Sequence, residues 1–247
     1  MQILISCAKT MTGTVPKAIP FCTEPVFQSH ANHQARQLIR YSVEQLMEML
    51  HINRQIAAEN WQRFQYFFDE SRRQPAAFAY DGMVFQKIAP ESMTDGELLD
   101  ANRHLFIGSF LYGLLRPLDL INKYRLEGNV ELPENRGRSM MDYWKPILTD
   151  WFIQQVKADD GILVNLASDE FRHIFEWKRV EKELTVIRPE FKVEKNGRLK
   201  TIVIYTKMCR GAMTRWILQN RITQAETLRD FEYEGYKWEY DWLYTMR

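Results

Sequence analysis

Gly161-Ile162-Leu163-Val164-Asn165-Leu166-Ala167-Ser168-Asp169-Glu170-Phe171 is a short apolar run that passes directly into a polar loop. Consecutive aliphatic residues after a glycine suit a strand buried on both faces, the habit of a parallel sheet. A twin stands at the start of the chain, where Ile3-Leu4-Ile5 leads into Ser6-Cys7-Ala8-Lys9-Thr10. Between them the sequence is mostly helical, which predicts an α+β or mixed α/β fold in which the two strands share one sheet. Ligands of open sheets with parallel strands gather beyond the carboxyl ends of the strands, so the two polar loops are expected to meet there.

Working outward, a loop is expected through Gly13, Pro16, Pro20 and Pro25. Apolar residues then repeat at helical spacing, first Ile39, Val43, Leu46, Met47 and Leu50, then Ala57, Trp61, Phe64 and Phe68. Ala77 to Ile88 alternates loosely around Asp81-Gly82 and reads as a short strand pair. Thr94 is placed to cap a helix reaching about Leu105, with Asp95 and Glu97 in its first turn. Phe106 to Leu115 is a compact apolar stretch closed by Arg116-Pro117. Ser139, with Asp142 three residues on, opens an amphipathic helix in which Pro146 marks a kink or break.

Residues 184–207 read as two extended runs around Asn196-Gly197, the pair suited to a type I′ hairpin turn. Lys207-Met208-Cys209-Arg210-Gly211 is read as the loop joining this hairpin to a helix that starts near Gly211. That helix turns Met213, Trp216 and Ile217 inward and Arg215 and Gln219 outward; Tyr236 to Tyr244 supplies a last strand. With no internal repeat, low-complexity segment or obvious linker, one domain is expected over residues 1–247.

The composition is that of a globular chain: 45% hydrophobic, 26% charged and 13% aromatic, with a formal net charge of +1. No apolar run approaches the roughly 20 residues of a membrane helix, and Met1 to Ala8 is too short in its apolar part for a signal peptide. Three widely spaced cysteines, Cys7, Cys22 and Cys209, give neither a disulfide framework nor a zinc pair. A cytoplasmic protein is expected, with no membrane partner and a monomeric state.

The charge is sorted by position. Lys195, Arg198, Lys200, Lys207, Arg210, Arg215 and Arg221 fall in a stretch without an acid, and acids follow it from Glu226. Such a surface attracts a polyanion to one place, although a plain solvated basic face explains the charges equally simply. The loop ends are open to two readings as well. Ser168 caps a helix start, or joins Lys9, Asn165 and Asp169 in a polar pocket where Asp169 is a base and Lys9 or Arg210 holds a phosphate. Lys9, Arg210 and Arg215 are otherwise ordinary surface cations.

Ile3-Leu4-Ile5-Ser6 with Ala8-Lys9-Thr10, Leu111-Tyr112-Gly113, Leu115-Arg116-Pro117-Leu118-Asp119-Leu120, Tyr124-Arg125-Leu126-Glu127, Asn165 to Glu170, and Arg210-Gly211 with Met213, Arg215 and Asn220-Arg221 recur together in one group of proteins. Through these blocks the chain resembles, from end to end, the YaaA family of bacterial proteins linked to resistance to peroxide stress. The resemblance implies a cytosolic DNA-binding protein without sequence specificity. It further implies a positively charged cleft, a helix–hairpin–helix element and an association with lower free intracellular iron.

On that basis the DNA-contacting residues are expected to be Lys9, Arg116, Arg125, Lys207, Arg210 and Arg215, with Tyr112 or Trp216 as stacking platforms. The helix–hairpin–helix element corresponds to the helix before Leu105, the turn through Gly113 and the segment after Pro117. The alternative is an enzyme acting on a nucleotide or nucleobase, with Lys9, Ser168 and Asp169 as the catalytic candidates beside Asn165. The sequence departs from the family pattern at Cys7, where proline is usual, and at Phe110, where glycine is usual. His30 and His33 fall in a proline-rich region near Cys22 with no third ligand, so no metal and no cofactor is assigned.

Overall fold

The computed structural model describes residues 1–11, 15 and 18–246, so the loop expected through Gly13 and Pro16 lies outside the described residues. The first strands are β1 (Gln2–Ser6), β2 (Gln74–Pro75), β3 (Leu105–Ser109), β4 (Gly113–Leu115) and β5 (Leu120–Ile121). They are followed by β6 (Ile162–Asn165), β7 (Thr185–Ile187), β8 (Glu190–Lys195), β9 (Arg198–Lys200), β10 (Lys237–Tyr240) and β11 (Leu243–Met246). The helices are α1 (Gln28–Leu38), α2 (Val43–Leu50), α3 (Arg54–Gln65), α4 (Ala76–Ala79) and α5 (Met83–Ile88). The rest are α6 (Asp95–His104), α7 (Met140–Lys157), α8 (Trp177–Glu183) and α9 (Val203–Gln219).

The central sheet has the order β4-β3-β1-β6-β7. β1 lies parallel between β3 and β6, with Ile3 opposite both Leu105 and Val164, and β4 returns antiparallel to β3. The two apolar runs are therefore adjacent strands of one mixed sheet, as their composition predicted. Ile3, Leu4, Ile5, Phe106, Ile107, Leu163 and Val164 are all fully buried, which requires helices on both faces.

A second sheet, β10-β11-β8-β9, holds the Asn196-Gly197 hairpin. Asn196 and Gly197 both take left-handed conformations, φ 54° and 68°, as a type I′ turn demands. The expected last strand is two strands, β10 and β11, paired antiparallel. α6 begins with a full capping box between Thr94 and Glu97, and the Ser139 hydroxyl accepts the Asp142 N–H at the start of α7.

Four local expectations fail for identifiable reasons. Residues 77–88 form α4 and α5, not a strand pair: Gly82 serves as N-cap of α5, so the turn signal is a helix boundary. Of the kink or break expected at Pro146, the break is absent, since α7 continues through it. His30 and His33 lie on α1. α9 starts eight residues before Gly211, which places Lys207 to Gly211 within the helix; their backbone N–H groups are spent on helical bonds and offer nothing to an anion.

No helix–hairpin–helix lies at the expected position. α6 leads straight into β3, and the chain after Pro117 is extended, reaching β5 rather than a helix. The connecting turn is buried, its Leu111 and Tyr112 N–H groups both donate to the Ser109 hydroxyl, and the Phe110 carbonyl accepts from the Trp144 indole at 2.7 Å. The Leu111 and Tyr112 donors of this turn are thus spent inside the fold.

Candidate functional site

Because β1 and β6 run parallel, the chain leaves both at the same edge of the sheet, and the segments 6–9 and 166–170 meet there. The Ser168 N–H donates to the Ser6 hydroxyl at 2.9 Å, and that hydroxyl donates in turn to Ser168 Oγ at 3.2 Å. Ser168 thus ties two strand ends together; it sits at the start of a 3-10 turn, Asp169–Ile174, but its side chain makes no cap bond.

These strand ends form the floor of a cavity of about 400 Å³. Its wall is completed by the start of α5, the segment 124–127 and one face of α9. Lys207 and Arg210 reach it together because residues three apart share a helix face. α9 comes close enough to form that wall through Gly211, where a side-chain Cβ would lie 2.3 Å from the Val84 carbonyl oxygen.

Among the described residues the cavity is lined by four cations, Lys9, Arg125, Lys207 and Arg210, and three carboxylates, Asp81, Glu127 and Glu170. Two of the cations are already engaged. Lys9 Nζ lies 3.1 Å from Glu127 Oε2, and Arg125 donates through Nε and Nη2 to Glu127 Oε1, each at 3.1 Å. Arg210 is different: its Nε is buried and has no hydrogen-bond partner among the described residues. Burial lowers its pKa, Asp169 opposes the shift and Arg188 reinforces it. A buried guanidinium donor with no acceptor is costly, and an incoming anionic oxygen removes that cost.

Of the three carboxylates, Glu170 has a raised pKa. It is raised first by burial and then by the neighbouring Glu127, while Lys9 and His173 pull it down. Asp169, the expected base, is not among the residues lining the cavity: it is exposed and forms ion pairs with Arg172 at 3.1 Å and with Arg188. Successive residues of a 3-10 turn point about 120° apart, so neighbours in sequence face different surroundings. Asn165 is also outside the cavity; it is buried, and its side-chain oxygen accepts the Ala167 N–H at 3.1 Å. The polar-pocket expectation keeps Lys9 and Ser168, loses Asn165 and Asp169, and gains Glu170 and Glu127.

Two expected DNA contacts are displaced from the cleft. Arg116 lies at the opposite, amino edge of the central sheet, donating to Gln2 Oε1 at 3.0 Å and to the Leu105 carbonyl at 3.3 Å. Its guanidinium sits 3.5 Å over the Phe106 ring, and burial pushes its pKa down to about 10. Arg215 donates to the Ile88 and Ala89 carbonyls and to the Ser92 hydroxyl, closing the carboxyl end of α5. Trp216 packs against Phe231 and Tyr112 is fully buried, so neither is a free stacking platform.

Cys7 and Phe110 have structural accounts. The Cys7 N–H donates to the Gly108 carbonyl at 2.9 Å, a bond that proline forgoes. Its thiol pKa is pushed up to about 12 by burial, which leaves it protonated at neutral pH. Phe110 stacks on Phe171 with ring centres 4.5 Å apart and forms part of the cavity wall. Beneath them Tyr80, Tyr124 and Ser109 make a buried chain of hydroxyls with spacings of 2.8 and 2.7 Å.

A larger cavity of about 560 Å³ lies beside Arg63, Arg72 and Lys123, but its arginines are taken. Arg63 pairs with Glu59, and Arg72 pairs with Asp69 while lying 3.9 Å over the Tyr66 ring. Among the described residues no group of three or more His, Cys, Asp or Glu side chains is arranged to hold a metal ion, and no helix is long and apolar enough to cross a membrane.

The molecule is thus a mixed α/β protein with a charged cleft at the carboxyl edge of its central sheet. A family model described as peroxide stress protein YaaA matches residues 1–241, and the chain belongs to the YaaA/UPF0246 family. A UPF0246 protein of Bacteroides fragilis is 52% identical over 238 residues, covering 96% of this chain and 93% of the relative. A UPF0246 protein of Phocaeicola vulgatus is 50% identical over 240 residues (97% and 94%), and one of Porphyromonas gingivalis is 44% identical over 241 (96% and 93%).

Proposed function

We propose that this protein acts in the cytoplasmic response to peroxide stress by binding DNA without sequence specificity along the cleft at the carboxyl edge of the sheet. The observation that carries the reading is Arg210, a half-buried cation whose Nε is buried and unpartnered among the described residues, beside Lys207 on the same face of α9. Phosphate contacts of this kind position a duplex without reading its bases. The carboxylates of the cleft temper its charge, so the affinity depends on the two α9 cations rather than on the summed field. Protection against oxidative DNA damage and the association with lower free iron are parts of the same proposal, drawn from the family.

The test is peroxide survival of cells lacking the gene, complemented with variants matched for protein level. Lys207→Ala/Arg210→Ala is expected to fail to rescue; full rescue overturns the reading. A second reading, an enzyme acting on a nucleotide or nucleobase, is favoured by Glu170, an acid lining the cavity whose pKa is raised, with Lys9 in its surroundings. Glu170→Gln removes a proton acceptor at nearly constant shape. Loss of rescue in Glu170→Gln with DNA affinity intact favours the enzyme, and full rescue removes it.

A further inference from the structure

The face of α9 that enters the cleft does not end there. Val203, Lys207 and Arg210 follow at spacings of four and three, so one stripe runs back from the cleft to the first residue of the helix, about 10 Å from Arg210. The β8–β9 hairpin immediately precedes it. Lys195, Arg198 and Lys200 on this hairpin are exposed and make no ion pair among the described residues.

The same short segment gathers exposed apolar side chains. Leu199, Val203, Ile204 and Tyr205 are 41%, 66%, 51% and 39% exposed, and Val203 is the most exposed large hydrophobic residue among those described. Charges along β9 are explained by its position as an edge strand, paired only with β8, whose open side cations protect from aggregation. Edge protection does not explain aliphatic side chains beside them, which mark a contact surface. Cations flanking exposed aliphatics suit a polyanion with an apolar interior, as DNA is: proteins that bend DNA hold its phosphates with Lys or Arg and press Leu or Ile against a base step.

We propose that the β8–β9 hairpin and the first turn of α9 form a second DNA-contacting arm, continuous with the cleft. Lys195, Arg198 and Lys200 hold phosphates there, while Leu199, Val203 and Ile204 press against an unstacked base step. The proposal rests on the DNA-binding reading of the cleft and adds to it a preference for DNA with a weakened step. A mismatch lowers the cost of unstacking, so the parent protein is expected to bind a centrally mismatched duplex roughly tenfold more tightly than the matched one.

The experiment measures binding of the full chain to matched and mismatched fluorescent duplexes across a potassium chloride series. Arg198→Ala/Lys200→Ala is expected to lower the log–log salt slope by about two units on both duplexes. Val203→Ser/Ile204→Ser is expected to keep the salt slope and lose the preference for the mismatch. All four positions are exposed, so the variants are expected to keep the parent's circular dichroism. If both pairs behave as the parent while Lys207→Ala/Arg210→Ala weakens binding, the arm is overturned and the cleft stands. If the parent binds neither duplex, both readings fall. A parent dimer that Val203→Ser/Ile204→Ser dissociates, with DNA binding unchanged, assigns the apolar tip to a second copy and also overturns the arm.

Discussion

At the amino edge of the central sheet, Arg116 lies over Phe106 and donates to Gln2 and Leu105. At the carboxyl edge, Arg210 is also largely buried, yet its Nε finds no acceptor. The two edges are about 13 Å apart along β1. The same side chain serves as a structural strut at one and as an open donor at the other. The comparison repeats within α9 itself, where Arg215 closes the end of α5 five residues beyond Arg210. What separates a binding arginine from a structural one is whether its donors are already satisfied.

The largest expected effect comes from removing the wall that creates the carboxyl edge. Gly211→Val forces α9 away from the Val84 carbonyl and is expected to cost about 3 kcal/mol of unfolding free energy in urea. A variant as stable as the parent breaks the account of how the cleft is built. Next comes Arg116→Met, which leaves two acceptors at the amino edge unsatisfied and is expected to cost about 2 kcal/mol. DNA affinity in that variant is expected to match the parent; a loss of affinity with stability retained returns Arg116 to the interface.

A smaller effect is expected at Glu170. Its folded pKa lies above the ordinary value of 4.5, so between those two values the folded state binds more protons than the unfolded state. Stability therefore falls as pH rises through that window, and is recovered as pH falls back to 4.5. In the same window, protonation removes a negative charge from the cleft, and the proposed DNA binding is expected to strengthen. Glu170→Gln is expected to flatten both trends, and a stability profile equal to the parent's places the titration elsewhere. The smallest effect sharpens the comparison most: Arg210→Met is expected to stay within about 0.5 kcal/mol of the parent, because no protein hydrogen bond of its Nε is lost. A loss like that of Arg116 makes Arg210 a strut as well.

The sheet was legible because its strands declare themselves through local composition. Ile3-Leu4-Ile5 and Ile162-Leu163-Val164 are buried on both faces, and Asn196-Gly197 has the backbone freedom that one turn type requires. The start of α9 was not legible, because Val203-Ile204-Tyr205 combines β-branched and aromatic residues that read as extended chain. That helix instead lays them on its surface. In the site, the convergence of Lys9 with Ser168 follows from parallel strands ending at one edge. The separation of Arg116 from Arg125 does not, because they stand nine residues apart on a chain that crosses the sheet between them. Nor does sequence tell Glu170 from Asp169, since a single step along a 3-10 turn decides which side chain lines the cavity.

The central claim is that phosphate contacts come from the open cations of the carboxyl edge and not from the satisfied arginines. The direct measurement is the salt dependence of duplex binding by the parent, by Lys207→Ala/Arg210→Ala, by Arg116→Met and by Arg215→Gln. The account expects the log–log slope to fall by about two units in the first variant, at about 0.9 per lost contact, and to stay at the parent's value in the other two. A slope unchanged in the cleft variant, or lowered in Arg116→Met or Arg215→Gln, contradicts it.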